Sequence, residues 1–221
     1  VGGGIIMVPA LTLLNLPPTQ VASTSLIAVM STSISSTIEY ARQKRIDYAL
    51  GLAMAACAIP GGGVGAVLSE YLLEDRFKLY FGILLILTGL YILYKNCVLK
   101  DDRVNRRSLP LQVAVFTASF GAGIISSLFG VGGGIVFVPT MLLVLGLTMH
   151  RAAPTSQLTL MMTAIAGVFT HSALGHPDYL QAAILSAGAF VGAQIGARLS
   201  RMTKEVLLQR LLAVIIITVA I

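Results

Sequence analysis

Two glycine-rich stretches hold the residues whose types and spacing point to chemistry. Residues 1–9 read VGGGIIMVP and residues 131–139 read VGGGIVFVP, so each glycine run lies inside an apolar segment. A helix that begins just after the glycines has free backbone N–H groups and the positive end of its dipole at that point. Such a terminus binds an anion without a basic side chain, and glycine lets the anion reach the backbone. The open alternative is that the glycines only permit close packing or a hairpin turn.

Small polar side chains follow both glycine stretches at matching positions. Thr24-Ser25 follows the first, and Thr155-Ser156-Gln157 follows the second. Hydroxyl and amide groups are suitable donors for an oxyanion, although ordinary helix–helix hydrogen bonding, worth under about 1 kcal/mol each, explains them equally well. We therefore predict a site for a small anionic substrate, with no catalytic residue, metal ligand or cofactor. The predicted substrate-binding residues are Gly2, Gly3, Gly4, Ile5, Thr24, Ser25, Gly130, Gly132, Gly133, Gly134, Ile135, Thr155, Ser156 and Gln157.

Membrane helices must position these residues. The chain of 221 residues is 56% hydrophobic and 11% charged, whereas soluble domains carry about a quarter charged residues. Long apolar stretches with few charges are typical of spans in a lipid bilayer. The composition predicts an all-α, polytopic transmembrane bundle. Its apolar segments lie at 5–14, 20–41, 48–72, 77–98, 111–129, 135–147, 153–173, 178–200 and 204–221.

The positive charge is clustered beside apolar spans. Most cations lie within 42–45, 95–107 and 198–210, and the net charge is +6. A nucleic-acid interface would distribute basic residues among polar neighbours along one face. The clusters instead indicate cytoplasmic loops under the positive-inside rule. We expect a multi-pass protein of the cell (inner) membrane with no nucleic-acid partner, and a homodimer is left open.

The similarity between the two halves extends beyond the glycines. With an offset of 130 to 131 residues, the halves share Thr24-Ser25 with Thr155-Ser156, Asp47 with Asp178, and Gly61-x-x-x-Gly65 with Gly192-x-x-x-Gly196. This pattern predicts a first repeat at 1–99, a polar cytoplasmic linker at 100–110 and a second repeat at 111–221. Because the chain starts within its motif, we expect the N-terminal part of the first repeat to be missing.

Length and loop charge predict that the repeats are inverted. Residues 111–147, as one helix, would extend about 55 Å at ~1.5 Å per residue. That exceeds one crossing of a ~30 Å hydrocarbon core, so the segment is discontinuous or re-entrant. The loop at 171–178 lacks Lys and Arg, whereas its counterpart at 42–45 is basic, which places the two on opposite sides. Inverted repeats with glycine-interrupted segments at matching positions are typical of a transporter's central site.

Three further features have ordinary interpretations that we favour. The Gly-x-x-x-Gly pairs indicate close helix packing. His171 is expected to be a solvated residue near the membrane interface rather than a proton site, and Glu39 is expected to pair with Arg42 at helical spacing. Motifs of known hydrolases, metalloproteases and P-loop NTPases are absent from the sequence, so we do not expect an enzyme.

Over nearly its whole length the chain resembles the sulfite exporter TauE/SafE family. The resemblance rests on the glycine-Val-Pro stretches, the Thr-Ser pairs and the Gly-x-x-x-Gly-Ala segments; Gly-x-Gly-Gly-Gly is complete at 130–134 and cut short at 1–4. It implies a secondary transporter of small sulfur-containing anions, such as sulfite or sulfonates. We expect alternating access. A passive anion channel of the same fold, a transporter of a non-sulfur carboxylate and a non-transporting scaffold remain alternatives.

Overall fold

The computed structural model describes residues 3–13, 16–71, 76–77, 79–83, 86 and 109–203. In this part of the chain every regular element is helical and there is no strand, as the all-α prediction requires. The helices are α1 (Gly4–Thr12), α2 (Pro18–Arg42), α3 (Tyr48–Leu68), α4 (Leu109–Phe129), α5 (Gly134–Leu143), α6 (Met149–Ala173) and α7 (Tyr179–Met202), and a 3₁₀ turn at Ser69–Tyr71 extends α3.

Four of these helices are long and apolar enough to cross a membrane. Among the described residues they are the segments Pro18–Arg42, Tyr48–Tyr71, Met149–Ala173 and Tyr179–Ser200. The predicted spans at 77–98 and 204–221 and the predicted linker at 100–110 lie mostly or wholly outside the described residues.

Matching aspartates begin α3 in the first half and α7 in the second. Asp47 accepts a hydrogen bond from the backbone N–H of Leu50, and Asp178 accepts from those of Leu180 and Gln181. An aspartate at the N-cap satisfies N–H groups that have no partner inside the helix. Asp47 and Asp178, which occupy equivalent positions in the two halves of the sequence, thus begin α3 and α7.

The start of α6 differs from the prediction. The sequence predicted an apolar segment at 153–173, but α6 begins at Met149, and Pro154 lies inside the helix rather than in its first turn. Proline has no N–H to donate to the carbonyl four residues earlier, which is that of His150. The Nε of Arg45 donates to this carbonyl at 3.1 Å. A side chain from the loop after α2 therefore supplies the missing hydrogen bond and lets the helix extend.

The helices α2 and α6 form the centre of the bundle. They pack against each other, α2 also packs against α7, and α6 also packs against α3. In the most apolar 18-residue stretch of each helix, 72% of the stretch is buried in α2 but only 17% in α7. The outer helices α3 and α7 therefore present much of their apolar surface outward, as expected for contact with lipid.

Glycines allow α3 and α4 to pack backbone to backbone. A Cβ added at Gly61 would overlap the carbonyl of Phe120, and one added at Gly65 would overlap the carbonyl of Ile124. The predicted packing role of this first glycine pair is confirmed. At the equivalent Gly192 and Gly196, an added Cβ would have no described atom within 4 Å.

Candidate functional site

The second glycine stretch separates two helices. The helix α4 ends at Phe129 and α5 begins at Gly134. In the connection, Gly130 has φ +69 and Gly132 has φ +79. These left-handed conformations strongly favour glycine. Helix α5 starts one residue before the predicted Ile135, within the uncertainty of any helix boundary.

The first glycine stretch has the same local geometry at the start of α1. The residue before each helix is a glycine with φ −61, namely Gly3 before α1 and Gly133 before α5. Met7 N–H donates to the Gly3 carbonyl at 3.1 Å, and Phe137 N–H donates to the Gly133 carbonyl at 2.8 Å. Gly2 and the side chain of Ile5 lie outside the described part of the chain.

The two glycine stretches touch each other. A Cβ added at Gly4 would overlap the backbone of Val131, including its carbonyl oxygen. Only glycine at position 4 permits this approach. The start of α1 therefore lies directly against the loop that precedes α5, which brings both predicted halves of the site together.

Two backbone donors at the start of α5 have no acceptor among the described residues. The first N–H groups of a helix have no intrahelical partner. Those of Val136 and Phe137 bond to the Gly133 carbonyl, whereas those of Gly134 and Ile135 make no hydrogen bond to a described residue. Gly134 and Ile135 are buried. These donors and the positive end of the α5 dipole favour an anion at this place.

The serines and the glutamine of the predicted site are engaged with protein groups. Ser25 donates to the Gly130 carbonyl at 2.9 Å and lies 3.1 Å from that of Ala22. Ser156 donates to the Ala153 carbonyl at 2.8 Å. Gln157 Oε1 accepts from Ser36 at 3.1 Å. Ser25 thus holds the glycine loop, which is a positioning role.

The hydroxyl protons of Thr24 and Thr155 have no acceptor among the described residues. Thr24 Oγ1 accepts from the Asp178 N–H at 3.2 Å, and Thr155 Oγ1 accepts from the Asp47 N–H at 3.0 Å. Both threonines are fully buried, and neither hydroxyl donates to a described residue. A hydroxyl that accepts one bond retains one O–H donor.

These two hydrogen bonds are equivalent to each other, because Thr24 corresponds to Thr155 and Asp178 corresponds to Asp47 in the sequence repeat. Each bond joins a residue of one half to a residue of the other half. Reciprocal contacts of this kind are expected where two equivalent units are related by a two-fold axis. The sequence contained the pairs but not their crosswise contact.

Apolar side chains surround the junction between α1 and the glycine loop. Val8 of α1, Val131 of the loop and Ile135 of α5 belong to one buried cluster that also includes Phe129 and Met149. No Lys, Arg, Asp or Glu is buried among the described residues. A cleft of about 380 Å³ lies elsewhere, between α3, α4 and Leu145, and its lining contains none of the predicted site residues.

Two expectations about charged and titratable residues are wrong. Glu39 lies 3.5 Å from Arg198 Nε and accepts from Gln43, so its ion pair reaches across to the other half rather than to Arg42. His171 is fully buried instead of solvated. One feature of the sequence pointed to a partner for His171. His176 follows it by five residues, and Gly175 between them forms a turn with φ +74.

Comparisons with known proteins give a consistent result. The family described as “Sulfite exporter TauE/SafE” matches residues 1–221. The chain is similar to the “Probable membrane transporter protein YunE” of Bacillus subtilis (strain 168), with 29% identity over 99% of this chain and 88% of that protein. It is also similar to the “Probable membrane transporter protein YfcA” of Escherichia coli (strain K12), with 26% identity over 97% and 79% of the two chains. No solved structure matches the chain.

Proposed function

The chain belongs to the sulfite exporter TauE/SafE family, a membrane transporter family, and we propose that it is a secondary transporter of small sulfur-containing anions. Sulfite, sulfonates and related organosulfur acids are the substrate class. The proposed location is the cell (inner) membrane, crossed several times. The observation that carries the proposal is the contact between Gly4 and Val131, because it joins the two glycine stretches into one site.

The chemistry of the junction fits a small oxyanion. It offers the N–H groups of Gly134 and Ile135 and the dipole of α5, without a buried cation among the described residues. Neutral donors in an apolar surrounding hold a small anion without trapping it in a strong ion pair. The free hydroxyl protons of Thr24 and Thr155 are additional proposed donors. The apolar cluster around the junction limits the entry of water.

Alternating access is the proposed mechanism. Broken segments at matching positions in inverted repeats are the usual arrangement of such transporters, with the substrate near the bilayer midplane. The crosswise Thr24–Asp178 and Thr155–Asp47 bonds support the symmetry that this requires. In the proposed cycle one repeat, at 1–99, rocks against the other, at 111–221, so that the site opens to each side in turn.

Counterflow in proteoliposomes tests the transport function. Vesicles loaded with unlabelled sulfite are expected to take up labelled sulfite transiently and with saturation, and methanesulfonate and acetate serve as competitors. Flux that rises linearly with concentration would instead favour the passive channel. Competition by acetate alone would favour the carboxylate transporter.

Cysteine labelling tests the inverted orientation. Cys57 and Cys97 are first replaced by alanine, and single cysteines are then placed at Leu174 and at Arg42, which are both exposed. An impermeant maleimide added outside intact cells is expected to label position 174 and not position 42. Labelling of both from the same side would contradict inversion.

A further inference from the structure

A buried histidine lies at the end of α6, next to the last turn of α4. His171 has no exposed surface, and its Nε2 lies 3.0 Å from the carbonyl oxygen of Ser127. Its other ring nitrogen, Nδ1, lies 3.0 Å from Nδ1 of His176. The turn at Gly175 returns the chain so that the two rings meet, with centroids 5.2 Å apart.

The contact continues to the surface through a carboxylate. His176 Nε2 lies 3.3 Å from Oε1 of Glu70, which belongs to the 3₁₀ turn after α3. The side chain of His176 is 12% exposed and that of Glu70 is 40% exposed. An unbroken row of polar atoms therefore runs from an exposed carboxylate to a fully buried ring.

The geometry determines where the protons lie. A carbonyl oxygen only accepts, so His171 Nε2 must carry a proton and donate to Ser127. If His171 is neutral, its Nδ1 accepts, and His176 must donate from its own Nδ1. A neutral His176 would then direct a bare Nε2 at the Glu70 carboxylate, and two acceptors would face each other. With Glu70 ionised, the arrangement is satisfied when the two rings together carry one extra proton.

This extra proton can move without breaking any other hydrogen bond. The N–H bond at His176 Nδ1 breaks and an N–H bond at His171 Nδ1 forms, so the charge moves from one ring to the other. His176 Nε2 continues to donate to Glu70, and His171 Nε2 continues to donate to Ser127. Among the described residues, His176 and Glu70 are the titratable groups that face His171.

The inner end of this row lies beside the glycine stretch. Ser127 is three residues before Gly130, and the hydroxyls of Ser126 and Ser127 are buried without a hydrogen-bond partner among the described residues. The Ser127 hydroxyl would lie 3.1 Å from a Cβ added at Gly167 of α6. Unpartnered buried hydroxyls are costly unless a ligand, an ion or water meets them in another state.

We propose that Glu70, His176 and His171 form a proton relay that couples anion transport to the proton gradient. The relay rests on the proposed transport function and adds the coupling ion to it. Protons enter at Glu70, pass through His176 and reach His171, where the added charge lies next to the end of α4. Movement of α4 relative to α6 would break the Ser127–His171 bond, so that the Nε2 proton of His171 loses its acceptor and can leave toward the glycine stretch.

Histidine NMR tests the shared proton directly. The chain has three histidines, so ¹⁵N-histidine spectra of the purified protein in detergent are assigned with His171→Gln, His176→Gln and His150→Gln. On acidification, His171 and His176 together are expected to take up one shared proton rather than one each, because the row of hydrogen bonds accommodates one. The spectra of the two rings should therefore change in step. Independent protonation of both rings would overturn the relay.

A transport experiment tests the coupling. Methanesulfonate stays ionised near neutral pH, so proton movement reported by a dye inside the vesicles belongs to the protein. Two rates are measured for methanesulfonate: accumulation driven by a pH gradient, and counterflow without a gradient. In His171→Gln the ratio of the first rate to the second is expected to fall at least about tenfold, within the range that positioned proton-transfer groups supply. His150→Gln, a matched control on the same helix, should keep the wild-type ratio.

The two failures are distinguishable. Counterflow of sulfite or methanesulfonate in the wild type, with no proton movement and no effect of a pH gradient, would overturn the relay and leave the transport proposal standing. Absence of counterflow for both anions would overturn the transport function itself.

Discussion

Substitution of Gly130 by alanine isolates the contribution of the glycine loop. Gly130 has φ +69, a conformation that costs an L-residue about 1–2 kcal/mol. A Cβ at this position would overlap the hydroxyl of Ser25 and the carbonyl of Ala22. The substitution therefore strains the backbone and displaces α2 from the loop at the same time.

The expected loss of stability follows from these contacts. The Ser25–Gly130 hydrogen bond, at 2.9 Å, contributes about 1 kcal/mol net. Together with the backbone cost and some displacement of α2, we expect a loss of about 2–4 kcal/mol, the range of changes at special backbone positions and buried networks. For a chain of this size each kcal/mol lowers Tm by about 2–4 °C, so Tm should fall by about 5–15 °C.

Thermal unfolding in detergent measures this change, with a thiol-reactive dye and size-exclusion chromatography as the two readouts. Gly121→Ala is the matched control, since Gly121 lies inside α4 and an added Cβ would meet no described atom within 4 Å. Alanine is favoured over glycine inside a helix by about 0.5–1 kcal/mol, so the control should keep or slightly raise Tm. Equal Tm values for Gly130→Ala and Gly121→Ala would refute the assigned role of the loop.

Two further predictions compare equivalent positions in the two halves. Thr24→Val and Thr155→Val each remove one of the crosswise hydrogen bonds, so each should lower stability by about 1 kcal/mol, and the two losses should agree within about 0.5 kcal/mol. Chemical denaturation measures both, and a large difference would contradict the symmetry. Gly61→Ala places a methyl group against the backbone of α4, so it should lower Tm by about 2–12 °C, the effect of 1–3 kcal/mol of overpacking. Gly192→Ala should match the wild type, and the opposite order in thermal unfolding would contradict the packing.

The spans were predictable because hydropathy alone selects them. The predicted segment at 20–41 corresponds to α2, and the predicted segment at 178–200 corresponds to α7. The boundary of α6 was not predictable from local rules, which place proline in the first turn. It depends on Arg45, a residue more than a hundred positions away, which bonds to the carbonyl that Pro154 leaves without a partner.

The sequence indicated which residue types make up the candidate site, but it did not indicate which of these residues touch. The duplication of the glycine stretch was visible in the sequence, but the approach of Gly4 to Val131 depends on how distant helices pack. The sequence also suggested a solvated His171, because a polar residue near the end of a span usually meets water. It is buried because His176 and the Ser127 carbonyl satisfy both ring nitrogens.

The proposed anion site depends on the backbone N–H groups at the start of α5. Replacing Ile135 by its α-hydroxy acid analogue converts that N–H to an ester oxygen and keeps the side chain. The same exchange at Ala49, an exposed residue in the first turn of α3, is the control.

Equilibrium binding of labelled sulfite to the purified protein measures how much the N–H at position 135 contributes to anion affinity. A hydrogen bond to a charged group contributes about 1.5–3 kcal/mol, so the ester at position 135 should raise Kd by about 10- to 100-fold. The ester at position 49 should leave Kd unchanged. An unchanged Kd for a folded protein with the ester at position 135 would show that this N–H does not bind the anion.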